Sequence, residues 1–202
     1  MPNSRRNLAI IYVAAWLRSF GIGLLGVILG VFLFRRGFSS TAIGLVIAAG
    51  LAGAAAGTVF ITWKADRIGR RRTLFVLSML TALGASALIF VLPLPAVAVL
   101  AFVGMVNGMG TDRSAAYALE QAVIPGLVPD VKRTWTIAWY SLVLDSSGAL
   151  GALAAGIPML EHRWWAVNLD AAYITVLIGY AGVNVLSAVL YLFLSRQVEV
   201  PA

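Results

Sequence analysis

The twelve residues WKADRIGRRRTL, running from Trp63 to Leu74, carry six charges between Lys64 and Arg72. Five are bases and one is the acid Asp66. The full chain of 202 residues holds only fifteen bases and eight acids, so this short stretch is where its charge is concentrated. On either side the sequence is almost wholly apolar. Hydrophobic residues make up 61% of the chain and charged residues 11%, less than half of the roughly 25% usual in soluble domains. That balance points to a membrane protein. The net charge of +7 does not indicate nucleic acid, because the bases sit in short clusters between apolar runs, as in loops that face a cytoplasm.

Working outward from residues 63–74, six apolar runs are long enough to cross a bilayer as helices, which takes roughly 20 residues. They cover about 8–34, 41–63, 73–92, 96–122, 135–160 and 171–195. The expected fold is an all-α bundle of six transmembrane helices in a single domain spanning residues 1–202. "RRGFSS", "LPLP" and "IPGLVPDVKR" supply breakers between runs. The first run follows Arg5 and Arg6 but is far longer than the apolar core of a signal peptide, so it reads as a retained helix.

With the N-terminus inside, ten bases fall in inner segments: Arg5, Arg6, Lys64, Arg67, Arg70, Arg71, Arg72, Lys132, Arg133 and Arg196. Three fall outside: Arg35, Arg36 and Arg163. The excess predicts both termini in the cytoplasm. Residues 63–74 then form the inner turn between helices two and three. Small residues recur at helical spacing, as in Ser19, Gly23, Gly26 and Gly30, in Gly50, Gly53 and Gly57, and in Gly148 and Gly151. Such faces let helices approach closely where lipid gives no hydrophobic drive.

Topology alone does not explain Asp66, Gly69 and their spacing to the arginines. "DRIGRRR" resembles the signature loop of the major facilitator superfamily, an Asp-Arg-x-Gly-Arg-Arg-Arg pattern between that family's second and third helices. Thr62 stands where the family usually has glycine, four residues before the aspartate. The resemblance implies a half-unit of a twelve-helix carrier, built of two inverted three-helix repeats. It implies that Asp66, Gly69, Arg70 and Arg71 form a conformational latch. Asp66 would face a helix N-terminus or polar partner across the gap, and Arg70 would bridge to an acid near the inner end of helix four, for which Glu120 is best placed. It further implies a second six-helix half, as a homodimer or a separate chain, and residence in a bacterial cytoplasmic membrane.

Arg18 and Asp145 each lie about ten residues into helices that start inside, hence about 15 Å deep at 1.5 Å per residue. An ionisable group there costs at least about 2.5–3.5 kcal/mol and needs a partner. The expectation is an Arg18–Asp145 pair facing a cavity, either binding an anionic solute group and a proton or serving as a structural ion pair. Asn107 is a further cavity candidate, Asp112 is assigned to the gate, and Asn184 is expected to bridge helices. Trp63, Trp135, Trp164 and Trp165 mark the interfaces.

Several classes lose support. There is no cysteine and one histidine, so neither thiol chemistry nor a histidine metal site is expected. No nucleotide loop or catalytic triad appears, and no cofactor or enzyme activity is expected. "SSGALGALAAGIPML" lacks the Gly-Pro pair of the superfamily's drug–proton antiporters. The function inferred is a secondary transporter half that moves a small solute among membrane lipids by alternating access, with proton coupling left open. The competing reading is a non-transporting sensor or assembly module, or the truncated half of a twelve-helix transporter.

Overall fold

A computed structural model describes residues 2–106, 108–110, 112 and 114–199. Eight α-helices are present among them, in place of the six expected. They are α1 (Pro2–Arg35), α2 (Ser40–Ile68), α3 (Arg70–Ala87), α4 (Leu94–Gly104), α5 (Ala115–Val123), α6 (Arg133–Ala154), α7 (Ile157–Trp165) and α8 (Leu169–Leu192). Four stretches among the described residues are long and apolar enough to cross a membrane: Asn3–Arg35, Ser40–Ile68, Asp130–Trp165 and Leu169–Leu192.

The two extra helices arise where expected helices are interrupted. The run 96–122 is not continuous. α4 stops at Gly104, Met105 takes a left-handed conformation (φ 52°), and the helix resumes only at Ala115. Polar side chains stabilise the interruption. Asp112 Oδ1 accepts hydrogen bonds from the amide and hydroxyl of Ser114, and the Ser114 hydroxyl accepts from the Tyr117 amide to cap α5. Asp and Ser side chains compete in this way with helical backbone bonding. The run 135–160 is bent rather than ended: α6 closes at Ala154, and Pro158 starts α7 just past Gly156. Proline lacks the N–H that a continuous helix would use.

The junction in the opening stretch is tighter than a loop. Trp63 to Ile68 belong to the last turns of α2, and α3 begins at Arg70. Gly69 alone makes the turn, at φ +102°, a conformation that side chains disfavour. Thr73 donates from both its amide and its hydroxyl to the Gly69 carbonyl, at 3.0 and 2.9 Å.

The start of α1 meets the segment after α8 at one end of the bundle, and that segment meets the junction. Asn7 pairs with Ser195, and Arg6 donates to the Phe193 carbonyl. Glu199 and Leu194 bond to Arg70 and Arg71. At the opposite end Arg35 pairs with Asp170 at 2.7 Å.

α1 runs through the centre and packs on α6 and α8; α3 packs on α8 and on α4, and α4 packs on α2. Two apolar clusters form the core. One, toward the chain ends, includes Ile11, Ile61, Leu74, Ile124 and Leu194. The other includes Leu25, Leu29, Val46, Val97 and Leu177. Between them, along α1 and α8, lie the buried polar residues Arg18, Ser19, Asn184 and Ser187.

The small faces bring backbones into contact. A Cβ on Gly151 would lie 1.9 Å from the Phe20 carbonyl oxygen, and one on Gly53 would lie 1.9 Å from that of Phe102. Gly30 has nothing within 4 Å of its Cβ position, so that member of the expected face is not a contact. Alanine at Gly53 or Gly151 is therefore expected to destabilise by at least the 1–3 kcal/mol typical of overpacking, on the order of several degrees in Tm. Alanine at Gly30 is expected to be neutral or to stabilise by up to about 1 kcal/mol through helix propensity. Thermal unfolding of the detergent-solubilised chain distinguishes the three.

Candidate functional site: a buried arginine beneath a membrane-depth cavity

Arg18 projects from α1 into the polar band and is 3% exposed. Its guanidinium is bound on every nitrogen. Nε donates to Asp112 Oδ2 at 2.7 Å, Nη1 to the Tyr191 hydroxyl at 2.7 Å, and Nη2 to Glu120 Oε2 at 2.6 Å. Glu120 is fully buried on α5. Its two oxygens also accept from the hydroxyls of Tyr140 on α6 and Tyr191 on α8, both at 2.6 Å. Five side chains from four helices and the α4–α5 interruption thus form one network. Both carboxylates are filled as acceptors, which is the arrangement that keeps buried charge tolerable.

The expected Arg18–Asp145 pair is absent. Arg18 pairs with Asp112 and Glu120, while Asp145 is exposed on α6. The reason is rotational. Among the α1 residues that meet α6 at this level are Ser19 and Gly23, through the Leu144 carbonyl and Gly148. Arg18 is one residue away and so points about 100° off that contact; Asp145 is likewise about 100° from buried Leu144. Equal depth did not mean a shared face.

The gate assignments change for the same reason. Glu120, expected to bridge Arg70, is committed to Arg18. Asp112, assigned to the gate, is not on a helix at all and also holds Arg18. Arg70 instead pairs with Asp66 one turn back on the junction, at 2.8 Å. The helix N-terminus occupied here is that of α3, and its occupant is Glu199, which accepts from the Arg70 and Arg71 amides. The Arg71 guanidinium donates to the Leu194 carbonyl at 3.3 Å. Asn184 does not bridge helices. Its Nδ2 donates to Tyr180 of its own helix, and its Oδ1 has no hydrogen-bond partner. Asn107 lies outside the described residues.

Next to the network is an open cavity of about 680 Å³. Ser19, Asp112, Tyr117, Ser141, Asp145 and Gly148 are among its lining residues. Asp112 therefore has two faces: one carboxylate edge holds Arg18 and the residue also forms cavity wall, although its side chain is only 2% exposed. Asp145 lines the same space and forms no ion pair with a described residue. Tyr191 and Glu199 carry no local sequence signal. One lies in a plain apolar run and the other beyond the last helix.

Removing one partner from a buried ion pair typically costs about 3–5 kcal/mol, because the other charge is left uncompensated. Arg18→Met is expected to destabilise the chain by that order, and Arg18→Met with Glu120→Gln to recover part of the loss. Tyr191→Phe is expected to cost about 1–3 kcal/mol, the usual range for an unsatisfied buried group. Thermal melts of the four proteins in one detergent test the set.

No solved structure matches the chain. It is 28% identical over 196 residues to an uncharacterized membrane protein of Saccharomyces cerevisiae, covering 96% of this chain and 44% of that one. It is 30% identical over 173 residues to a protein of Arabidopsis thaliana named as a probable plastidic glucose transporter, covering 82% of this chain and 34% of that one. The chain thus spans less than half the length of these relatives. The family model described as Major Facilitator Superfamily matches residues 11–201, nearly the whole chain. With the signature junction at Gly69 and a polar cavity lined from α1 and α6, the chain belongs to the major facilitator superfamily.

Proposed function

We propose that this chain forms a six-span half of a secondary active transporter, with α4–α5 and α6–α7 each acting as one interrupted span. A second half, from another copy or a separate chain, closes the cavity, and rocking of the halves gives alternating access. Both termini face the cytoplasm, as the excess of bases at their end supports. The observation that carries the reading is the double role of Asp112. It lines the cavity and holds Arg18, so a solute bound there acts on a network that ties α1, α5, α6 and α8 together.

The cavity chemistry narrows the solute. An anionic solute, which a free mid-membrane arginine would favour, finds no free nitrogen on Arg18, since all three are engaged. The lining offers the acceptor Asp145 and the hydroxyls of Ser19, Ser141 and Tyr117, with Asp112 already held by Arg18 and Ser114. That set suits a neutral solute rich in hydroxyl groups, and the Arabidopsis relative is named as a glucose transporter. Asp145, exposed and lining the cavity with no ion-pair partner among the described residues, is the carboxylate we assign to the coupling proton.

Uptake of labelled hexoses and polyols into proteoliposomes, with the protein purified together with any partner half, tests this reading. Saturable uptake that rises with an inward proton gradient is expected. Asp112→Asn is expected to lower it at least tenfold. Asp145→Asn is expected to abolish the gradient dependence while leaving solute exchange. A well-folded protein that moves none of these solutes would favour the non-transporting module, and full gradient-driven uptake by Asp145→Asn would remove that residue from coupling.

A further inference from the structure

At the end of the bundle that holds the chain ends, a second polar cleft of about 350 Å³ opens between the Gly69 junction and the segment after α8. Arg67, Arg71, Arg72 and Arg196 line it, with Asp66 and Glu199. The acids are already engaged. Asp66 pairs with Arg70, and Glu199 sits on the Arg70 and Arg71 amides. Arg67, Arg72 and Arg196 are exposed and form no ion pair with a described residue. Three arginines from three elements, none ion-paired to a described residue, therefore line one cleft. An oxyanion, the Glu199 carboxylate, is already seated at its edge.

We infer that this cleft is a phosphate-binding site, in which the ligand's oxyanion is held by Arg67, Arg72 and Arg196 and competes with Glu199 for the N-terminus of α3. A phosphate group suits the donors better than a carboxylate does, because it offers more acceptor oxygens to forked guanidinium groups and backbone N–H. Basic pockets at the inner ends of membrane helices are places where anionic headgroups collect. The junction borders the membrane surface, since Trp63, one and a half turns before Gly69, is 75% exposed and tryptophan favours the interface. The phosphate has two possible sources, an anionic phospholipid headgroup or a soluble phosphoester. Competition with Glu199 makes the site a point at which either would loosen the contact between the α2–α3 junction and the end of α8. This inference stands independently of the transported solute.

Native mass spectrometry of the full chain, released from mixed bilayers of phosphatidylglycerol and phosphatidylcholine, tests it by counting retained lipid. At least tenfold preference for phosphatidylglycerol is expected. The double variant Arg72→Gln with Arg196→Gln, both at exposed positions, is expected to reduce the preference below twofold. Arg163→Gln, on α7, is expected to leave it unchanged. Glu199→Gln keeps a neutral oxygen at the α3 N-terminus and is expected to raise retention at least threefold. In a parallel arm, inorganic phosphate is added against chloride at equal ionic strength. Displacement of the lipid by phosphate assigns the site to soluble phosphoesters, and no displacement assigns it to the headgroup. Equal retention by the double variant and the parent protein would overturn the site and leave the arginines as plain topological anchors. Weaker retention by Glu199→Gln would overturn the competition.

Discussion

A guanidinium buried halfway along the central helix has to be neutralised where it stands, and much of the interior is arranged around that requirement. Arg18 cannot reach water from its place between the two apolar clusters. Two carboxylates and two phenols come to it from α5, α6, α8 and the α4–α5 interruption. The interruption is part of the solution. An unbroken helix over 96–122 would present Asp112 at a position dictated by helical rotation. The Ser114-capped turn frees it to meet Arg18 and the cavity together. The network thereby fixes the relative placement of helices that lipid alone would not order.

Close backbone approach does the remaining work. Lipid tails are as apolar as leucine, so apolar burial does not drive these helices together. Contact comes from glycines set against neighbouring backbones: Gly151 of α6 on Phe20 of α1, Gly23 of α1 on Gly148 of α6, Gly53 of α2 on Phe102 of α4, and Gly84 of α3 on Gly104 of α4. These contacts place α1 against α6 along the face of Ser19 and Gly23. That turns Arg18 away from the Leu144–Gly148 stretch of α6 and leaves Asp145 lining the open cavity.

The signature junction applies the same economy at the bundle end. One glycine turns the chain between two long helices, and the N-terminal amides of α3 are satisfied by an acid more than 120 residues later in the chain. The junction, α1 and the end of α8 are tied by short polar contacts that give way more readily than buried apolar packing. The same contacts leave Arg67, Arg72 and Arg196, which form no ion pair with a described residue, beside the junction.

The sequence by itself determined that the chain is helical and apolar enough for lipid, and that residues 63–74 form a junction of the superfamily type. These are local properties. Hydrophobic length, breaker residues and a compact motif act within a few turns and can be read one segment at a time. Depth was also legible, since rise per residue is constant, and Arg18 is indeed at mid-bundle. Partnership was not. Whether Arg18 meets Asp145, Asp112 or Glu120 depends on how each helix is rotated about its axis and on a break that no periodicity announced. Only tertiary packing, through the glycine contacts that set those rotations and the Asp112–Ser114 turn that interrupts the fourth span, decided which charges meet.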